Sequence, residues 1–127
     1  MYQFIETLRI ENKMIINLEA HYQRLNDTLK FFYPQAAGIN LGKYIIWKDY
    51  LQRTKCHIEY CDQILSVSYQ PYHPRPVHSL RLIGCDTINY SYKYKGRSLL
   101  QFLYDQRQHC DDVLIVKKGF ITDTSIA

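Results

Sequence analysis

The sequence predicts an α+β fold: a small N-terminal domain of antiparallel strands with two helices, followed by the first part of a second α/β domain. Three observations carry that expectation. "FIETLRI" alternates at strand period, and "MII" returns after a turn. Leu18, Tyr22, Leu25, Leu29 and Phe32 recur at helical spacing. The stretch "PYHPRP", Pro71 to Pro76, holds three prolines. Proline lacks an N–H and locks φ, so this stretch is a crossover or linker and neither helix nor inner strand. The small domain is therefore expected over residues 1–78 and the second over 79–127.

In the first strand Phe4, Glu6, Leu8 and Ile10 share one face, and Ile5, Thr7 and Arg9 the other. β-branched residues support it. "ENK" makes the turn, a position that suits Asn12, so residues 2–16 read as a hairpin. Asn17 can N-cap a helix over about residues 18–32, whose apolar stripe marks one buried face. Pro34 and Gly38 end it. Asn40 can cap a second helix with Leu41, Tyr44, Trp47 and Leu51 inward. "KCHIEY" and "QILSVSYQ" follow as strands joined by a tight turn at Cys61-Asp62. Beyond the prolines, "SLRLIG" is a strand and "NYSYKYK" extended chain. Residues 97–109 form a third helix with Leu99, Leu100 and Leu103 inward. "DDVLIV", a "KKG" turn and "FIT" make a second hairpin. It ends at "TDTSIA", one residue past Ile126 and without a capping element, so the chain reads as unfinished. Hairpins with helices grouped between them indicate α+β.

Composition excludes several classes. Of the 127 residues, 46% are hydrophobic and 22% charged, which is globular material and not a disordered tail. A net charge of +4 is too weak to imply nucleic acid by itself. The opening "MYQFIETLRIENK" has no basic segment leading into an apolar run, and no run approaches membrane-spanning length. A cytoplasmic protein with no membrane partner is expected. Cys56, Cys61, Cys85 and Cys110 form no CxxC pair and have no His-x3-His companion, so no metal is expected and the thiols read as reduced. Cys56 and His57 are strand neighbours pointing to opposite faces, which argues against a thiol–imidazole pair.

Three places could carry chemistry. His21 and Arg24, three apart, share a helix face beside the apolar stripe. An arginine fork there can hold a phosphate or carboxylate by two bonds, or it pairs with Glu6 or Asp27 and leaves His21 a satisfied core histidine. In an extended 89–95, Tyr90, Tyr92 and Tyr94 face one side, and Asn89, Ser91, Lys93 and Lys95 the other. A desolvated Lys93 is nucleophilic toward carbonyls; the alternative is a solvated basic edge strand. Asp123, among Thr122, Thr124 and Ser125, is either turn chemistry or a fixed carboxylate facing a cationic ring nitrogen.

The order of these signals resembles the class IV, or fold-type IV, pyridoxal-phosphate enzymes: branched-chain aminotransferases, D-amino-acid aminotransferase and aminodeoxychorismate lyase. That family opens with a strand like E/T-T-x-R-V, a turn, and a helix bearing H-x-x-R-L. Glu6-Thr7-Leu8-Arg9-Ile10 and His21-Tyr22-Gln23-Arg24-Leu25 fill those places. A catalytic lysine, a helix, an acidic-hydrophobic strand and a hairpin carrying V-T-E-G-S-x-S-N then follow, and "YKYKGRSLL…CDDVLIVKKGFITDTSIA" keeps that order. The resemblance implies pyridoxal 5′-phosphate as cofactor. Arg24 would clamp its phosphate, and Lys93 would form the internal Schiff base and shuttle the proton between Cα and C4′. Asp123 would stand where the family has glutamate, keeping the pyridine nitrogen protonated. Thr122, Thr124 and Ser125 would line the wall. Residues 79–127 would be an incomplete cofactor-binding domain.

There are departures. The lysine segment lacks K-x-x-N/G, and Lys95 on the same strand face competes with Lys93. Asp for Glu shortens the carboxylate. The family's later phosphate-binding loops have no counterpart, so these residues alone do not complete the cradle. The function implied is a PLP-dependent aminotransferase or lyase acting on an amino acid and a 2-oxo acid, as a homodimer. Two alternatives remain: a catalytically inactive or truncated member, and a nucleic-acid binder using the Tyr/Lys-rich strand.

Overall fold

In the computed structural model, which describes residues 2–90 and 92–125, the N-terminal alternation becomes β1 (Phe4–Glu11) and β2 (Met14–Ile16). Ser91 and Ile126, used in the expectations above, lie outside the described residues. Asn12 and Lys13 both take positive φ, 54° and 57°. That pair closes a two-residue turn whose twist matches that of the strands it joins. β1 then pairs antiparallel with β3 (Thr54–Tyr60), and β3 with β4 (Ile64–Pro71), giving the order β2-β1-β3-β4. Phe4, Glu6, Leu8 and Ile10 are all buried, as are Cys56, Ile58 and Tyr60 of β3. Helix α1 (Leu18–Phe32) covers this face with Leu25 and Leu29.

Two local expectations fail. Asn17 is left-handed, with φ 57°, and its side chain makes no capping bond. A capping side chain needs extended backbone to reach back to the helix N–H groups, so Asn17 serves as a bend out of β2. The second helix is one 3-10 turn, Leu41–Tyr44, with Ile45 already extended at φ −112°, ψ 125°. The β-branched pair Ile45-Ile46 followed by Trp47 loses too much side-chain freedom to extend a helix without packing on both turns. Leu41 and Ile45 are buried, but Tyr44 and Leu51, expected inward, are exposed.

The chain divides into two compact units. The first spans residues 2–73 and takes back the short segment 92–95; the second spans 74–90 and 96–125. In the second, β5 (Leu80–Gly84) lies parallel to β6 (Asp112–Lys117), which pairs antiparallel with β7 (Phe120–Thr124). Parallel neighbours need a long crossover, and α2 (Ser98–Asp105) lies within it. Ile83, Ile88, Leu103, Val113 and Ile115 form this unit's core. α2 is shorter than the predicted 97–109, and Leu99, expected inward, is exposed. Gln106 is its C-cap, and three residues expected to be helical, Arg107 to His109, lie beyond it, with Gln108 at φ 56°. No helix among the described residues is long and apolar enough to cross a membrane.

The β6–β7 turn uses Lys118 at φ 50° and Gly119 at φ 83°. A side chain at Gly119 would meet nothing within 4 Å, so a substitution there reads backbone strain alone. Gly119→Val is expected to destabilise the second unit by about 1–2 kcal/mol, the cost of a left-handed non-glycine residue. A urea midpoint unchanged from wild type would refute it.

Candidate active site

β1 turns Glu6 toward α1, and the three-residue spacing of α1 brings His21 and Arg24 to meet it. Glu6 is fully buried. Arg24 Nε donates to Glu6 Oε1 at 2.6 Å and Nη2 to Oε2 at 2.5 Å, while His21 Nδ1 lies 2.7 Å from Oε2. Burial alone would raise the Glu6 pKa. The bonds from Arg24 and His21 outweigh it and hold the carboxyl below the usual carboxylate range. The same bond raises Arg24. Burial, with Glu6's charge adding to it, pushes the neighbouring Tyr60 phenol up to about 12. Glu6 thus stands as a permanent anion in a dry setting, using the Nε–Nη2 edge of Arg24. The Nη1 group lies outside this pair, and the Arg24 side chain is 39% exposed. The pairing with Glu6 is one of the two outcomes the spacing allowed.

The lysine segment docks on the opposite edge of β1 from β3. Ile5 N–H donates to Lys93 O, Lys95 N–H to Gln3 O, and Tyr94 bridges Phe4. Tyr92 and Tyr94 pack into a ring cluster with Phe31, Phe32 and Phe4, at centroid distances of 4.9–6.5 Å. Their faces are taken up by core packing, so they are not a platform for bases. Alternation sends Lys93 and Lys95 to the other face of the strand. There Lys95 Nζ pairs with Glu59 at 3.0 Å. Lys93 is half-buried and Lys95 exposed.

On this edge β2 covers only Arg9–Glu11 and the lysine segment only residues 3–5. Among the described residues Glu6–Leu8 therefore keep an open edge on that side. A cavity of about 330 Å3 lies there, lined by Thr7, Arg9, Asn17, His21 and Lys55 among others. Its lining takes in His21 of α1 and Lys55 of β3. Arg9 entered the sequence reading only as part of the strand motif, and Lys55 not at all; the sheet's incomplete edge marks them.

In the second unit, Asp123 and Thr124 are half-buried on β7 and its end. Asp123 Oδ1 accepts the Thr124 N–H at 2.9 Å, and Thr122 Oγ1 donates to Ile115 O at 2.9 Å. Ser125 is buried and donates to Asp112 Oδ1 at 2.6 Å. The candidate residues are thus distributed over both units, Arg24 and Lys93 in the first and Asp123, Thr124 and Ser125 in the second. The Cys56 thiol is pushed up to about 11 by burial, so it is no nucleophile.

No family model matches the chain. An uncharacterized protein of Haemophilus influenzae is 36% identical over 130 residues, covering 99% of this chain and 69% of that one. A solved Haemophilus somnus protein, provisionally named a 4-amino-4-deoxychorismate lyase, matches with a TM-score of 0.88 at 29% identity, again over 99% and 69% of the two chains. The chain belongs to the class IV, fold-type IV, pyridoxal-phosphate aminotransferase and aminodeoxychorismate lyase family. The fold extends to more distant proteins. A provisional branched-chain amino acid aminotransferase of Thermotoga maritima has a TM-score of 0.70 at 17% identity, over 98% of this chain and 50% of its own. A hypothetical aminotransferase of Mycobacterium tuberculosis, solved with pyridoxal phosphate bound, has 0.68 at 14%, over 98% and 55%.

The donor set fits a fold-type IV cofactor unit by unit. Arg24 is a guanidinium held from behind by a buried carboxylate, with one nitrogen outside that pair. Lys93 is half-buried in a segment tied to β1 by backbone bonds. Asp123 is a half-buried carboxylate with one oxygen bonded to its own backbone.

Proposed function

We propose that this protein is a PLP-dependent aminotransferase or lyase acting on an amino acid or 2-oxo acid, cytoplasmic and homodimeric. In this reading residues 1–78 are the small domain and 79–127 the start of the cofactor-binding domain. The observation that carries the proposal is the buried Glu6 carboxylate that braces Arg24 beside His21, on the strand and helix that carry the two family motifs. Lys95 pairs with Glu59, and Lys93 is half-buried in a segment hydrogen-bonded to β1. Pyridoxal phosphate, when bound, supplies an aldehyde carbon for amines and a ring that accepts electrons.

Lys93 would provide the amine that holds the cofactor and would carry the proton at the substrate's Cα. The backbone bonds that tie residues 93 and 95 to β1 would fix where that amine starts from. Arg24 holds the cofactor phosphate through the nitrogen that Glu6 does not use. Glu6 fixes the guanidinium plane, so little rotamer freedom is lost on binding. Asp123 would pair with the ring nitrogen and keep it protonated, with Thr124 and Ser125 as wall residues.

Titration of the purified chain with pyridoxal phosphate tests this. A yellow, saturable complex is expected, with affinity reduced about tenfold in Arg24→Lys, which keeps Glu6 paired but loses the fork. Absence of colour and of uptake in the wild type sinks the proposal. A folded but inactive member is the second reading, favoured because the Arg24 fork is already occupied by Glu6.

A further inference from the structure

A cavity of about 500 Å3 opens in the first unit where the end of β1, the start of β3 and the end of β4 come together. One side is residues 50–53, a stretch without helix or strand up to Thr54, yet each of its four carbonyls is bonded. Tyr50 O and Leu51 O accept the Lys13 and Asn12 N–H groups, both at 2.8 Å, Gln52 O accepts Thr54 Oγ1 at 3.0 Å, and Arg53 O accepts the Tyr72 N–H at 3.0 Å. Bonds to the β1–β2 turn, to β3 and to the chain after β4 fix where these side chains start. The side chains themselves face the cavity. Tyr50 stacks on Tyr69, with centroids 5.2 Å apart and planes 15° from parallel, and Tyr69 is fixed by the Ile46 N–H, which donates to its hydroxyl at 2.8 Å. Tyr72 adds a third ring, 40% exposed. Gln52 and Gln70 line the same space, and their carboxamides have no hydrogen-bond partner among the described residues. Arg53 Nε donates to Glu11 Oε2 at 3.4 Å, and Arg9 Nε lies 3.6 Å from the same oxygen.

This set selects a class of ligand. A hydrocarbon would leave both carboxamides unpaired, and a simple anion would face Glu11 and leave the rings unused. Tyrosine faces stack on flat nitrogenous rings, a glutamine amide matches the donor–acceptor edge of adenine, and a carboxylate accepts from ribose hydroxyls. We infer that this cavity binds an adenosine-type nucleoside or nucleotide: the base against the tyrosines, its edge bonded by Gln52 and Gln70, the sugar on Glu11, and Arg53 beside any phosphate. Because the backbone under these groups is ordered before the ligand arrives, the entropic cost of binding is reduced. The site is built wholly within the first unit and uses none of Arg24, Lys93 or Asp123, so it stands or falls separately from the cofactor reading.

Amide NMR of the full chain, titrated with adenosine in one arm and AMP in the other, tests it. Saturable shifts are expected at Tyr50, Gln52, Arg53, Gln70 and Tyr72. Saturation by both ligands means that base and sugar suffice, by AMP alone that the phosphate is needed, and either result supports the site. Tyr72→Leu should weaken binding about fivefold or more, the lower end of what one lost stacking ring costs, and Gln70→Ala about fivefold, the loss of a neutral hydrogen bond. Both side chains are exposed, and the dispersion of the same spectra reports whether each variant is folded. The inference is overturned if neither ligand saturates, if the shifts cluster around Arg24 of α1 instead, or if either folded variant binds as wild type does.

Discussion

Lys93→Ala is expected to lose the yellow complex with pyridoxal phosphate, and any amino-group chemistry should fall about a thousandfold or more, since one side chain supplies both the linking amine and the proton carrier. Borohydride treatment of the wild type should fix the cofactor's mass onto a peptide containing Lys93. Lys95→Ala is the informative control. It removes the ion pair to Glu59, an exposed pair of small energetic weight, and should retain both colour and fixation. If Lys95→Ala loses the complex while Lys93→Ala keeps it, the assignment between the two amines is reversed. Two residues along a strand return to the same face, so alternation could not choose between them. The structure gives Lys95 an ion pair with Glu59 of β3 at 3.0 Å, and the two variants decide between the amines.

Glu6→Gln should destabilise the first unit by about 2 kcal/mol. Breaking a fully buried pair costs more, about 3–5 kcal/mol, but Arg24 is 39% exposed and rehydrates, which reduces the loss. The pH dependence follows from the direction of the shift. The folded Glu6 carboxyl titrates below its unfolded value of about 4.3. Below that unfolded value the unfolded chain binds more protons than the folded one. The stabilisation from Glu6 is therefore complete above this pH and is lost as pH falls through the lower, folded value. Urea unfolding from neutral pH down to acid should show a steep loss in the wild type and a shallower one in Glu6→Gln. Superimposable acid limbs would mean that Glu6 is not the titrating anchor. In the same variant Arg24 keeps its charge but loses its brace, so cofactor affinity should fall along with stability.

The hairpins, α1 and the proline linker were legible because each rests on local periodicity. Alternation in "FIETLRI" needs only that one face be buried, and the stripe from Leu18 to Phe32 needs only a helix of 3.6 residues per turn. The segment after Asn40 was not legible. Leu41, Tyr44, Trp47 and Leu51 satisfy helical spacing, yet the chain straightens at Ile45. Spacing does not register that β-branched residues resist a helix that has no core on both sides. α2 was overextended too, but for another reason: past its C-cap Gln106 the chain turns left-handed at Gln108, φ 56°, a local bend that spacing does not register.

At the site the divide is similar. Residue order alone was enough to assign the family, because His21-x-x-Arg24 follows Glu6-Thr7-Leu8-Arg9 at a fixed separation, and helix and strand periods carry those side chains to one place. Which acid Arg24 would meet, Glu6 or Asp27, was left open. The packing of α1 on β1 decided for Glu6, because a buried carboxylate must find a partner and Arg24 lies above it. The open edge at Glu6–Leu8, the pairing of Lys95 with Glu59 and the bond from Ser125 to Asp112 had no local signature. Each joins residues 12 or more positions apart, brought together by strand register and burial, and those are properties of the assembled sheet and not of any stretch of chain.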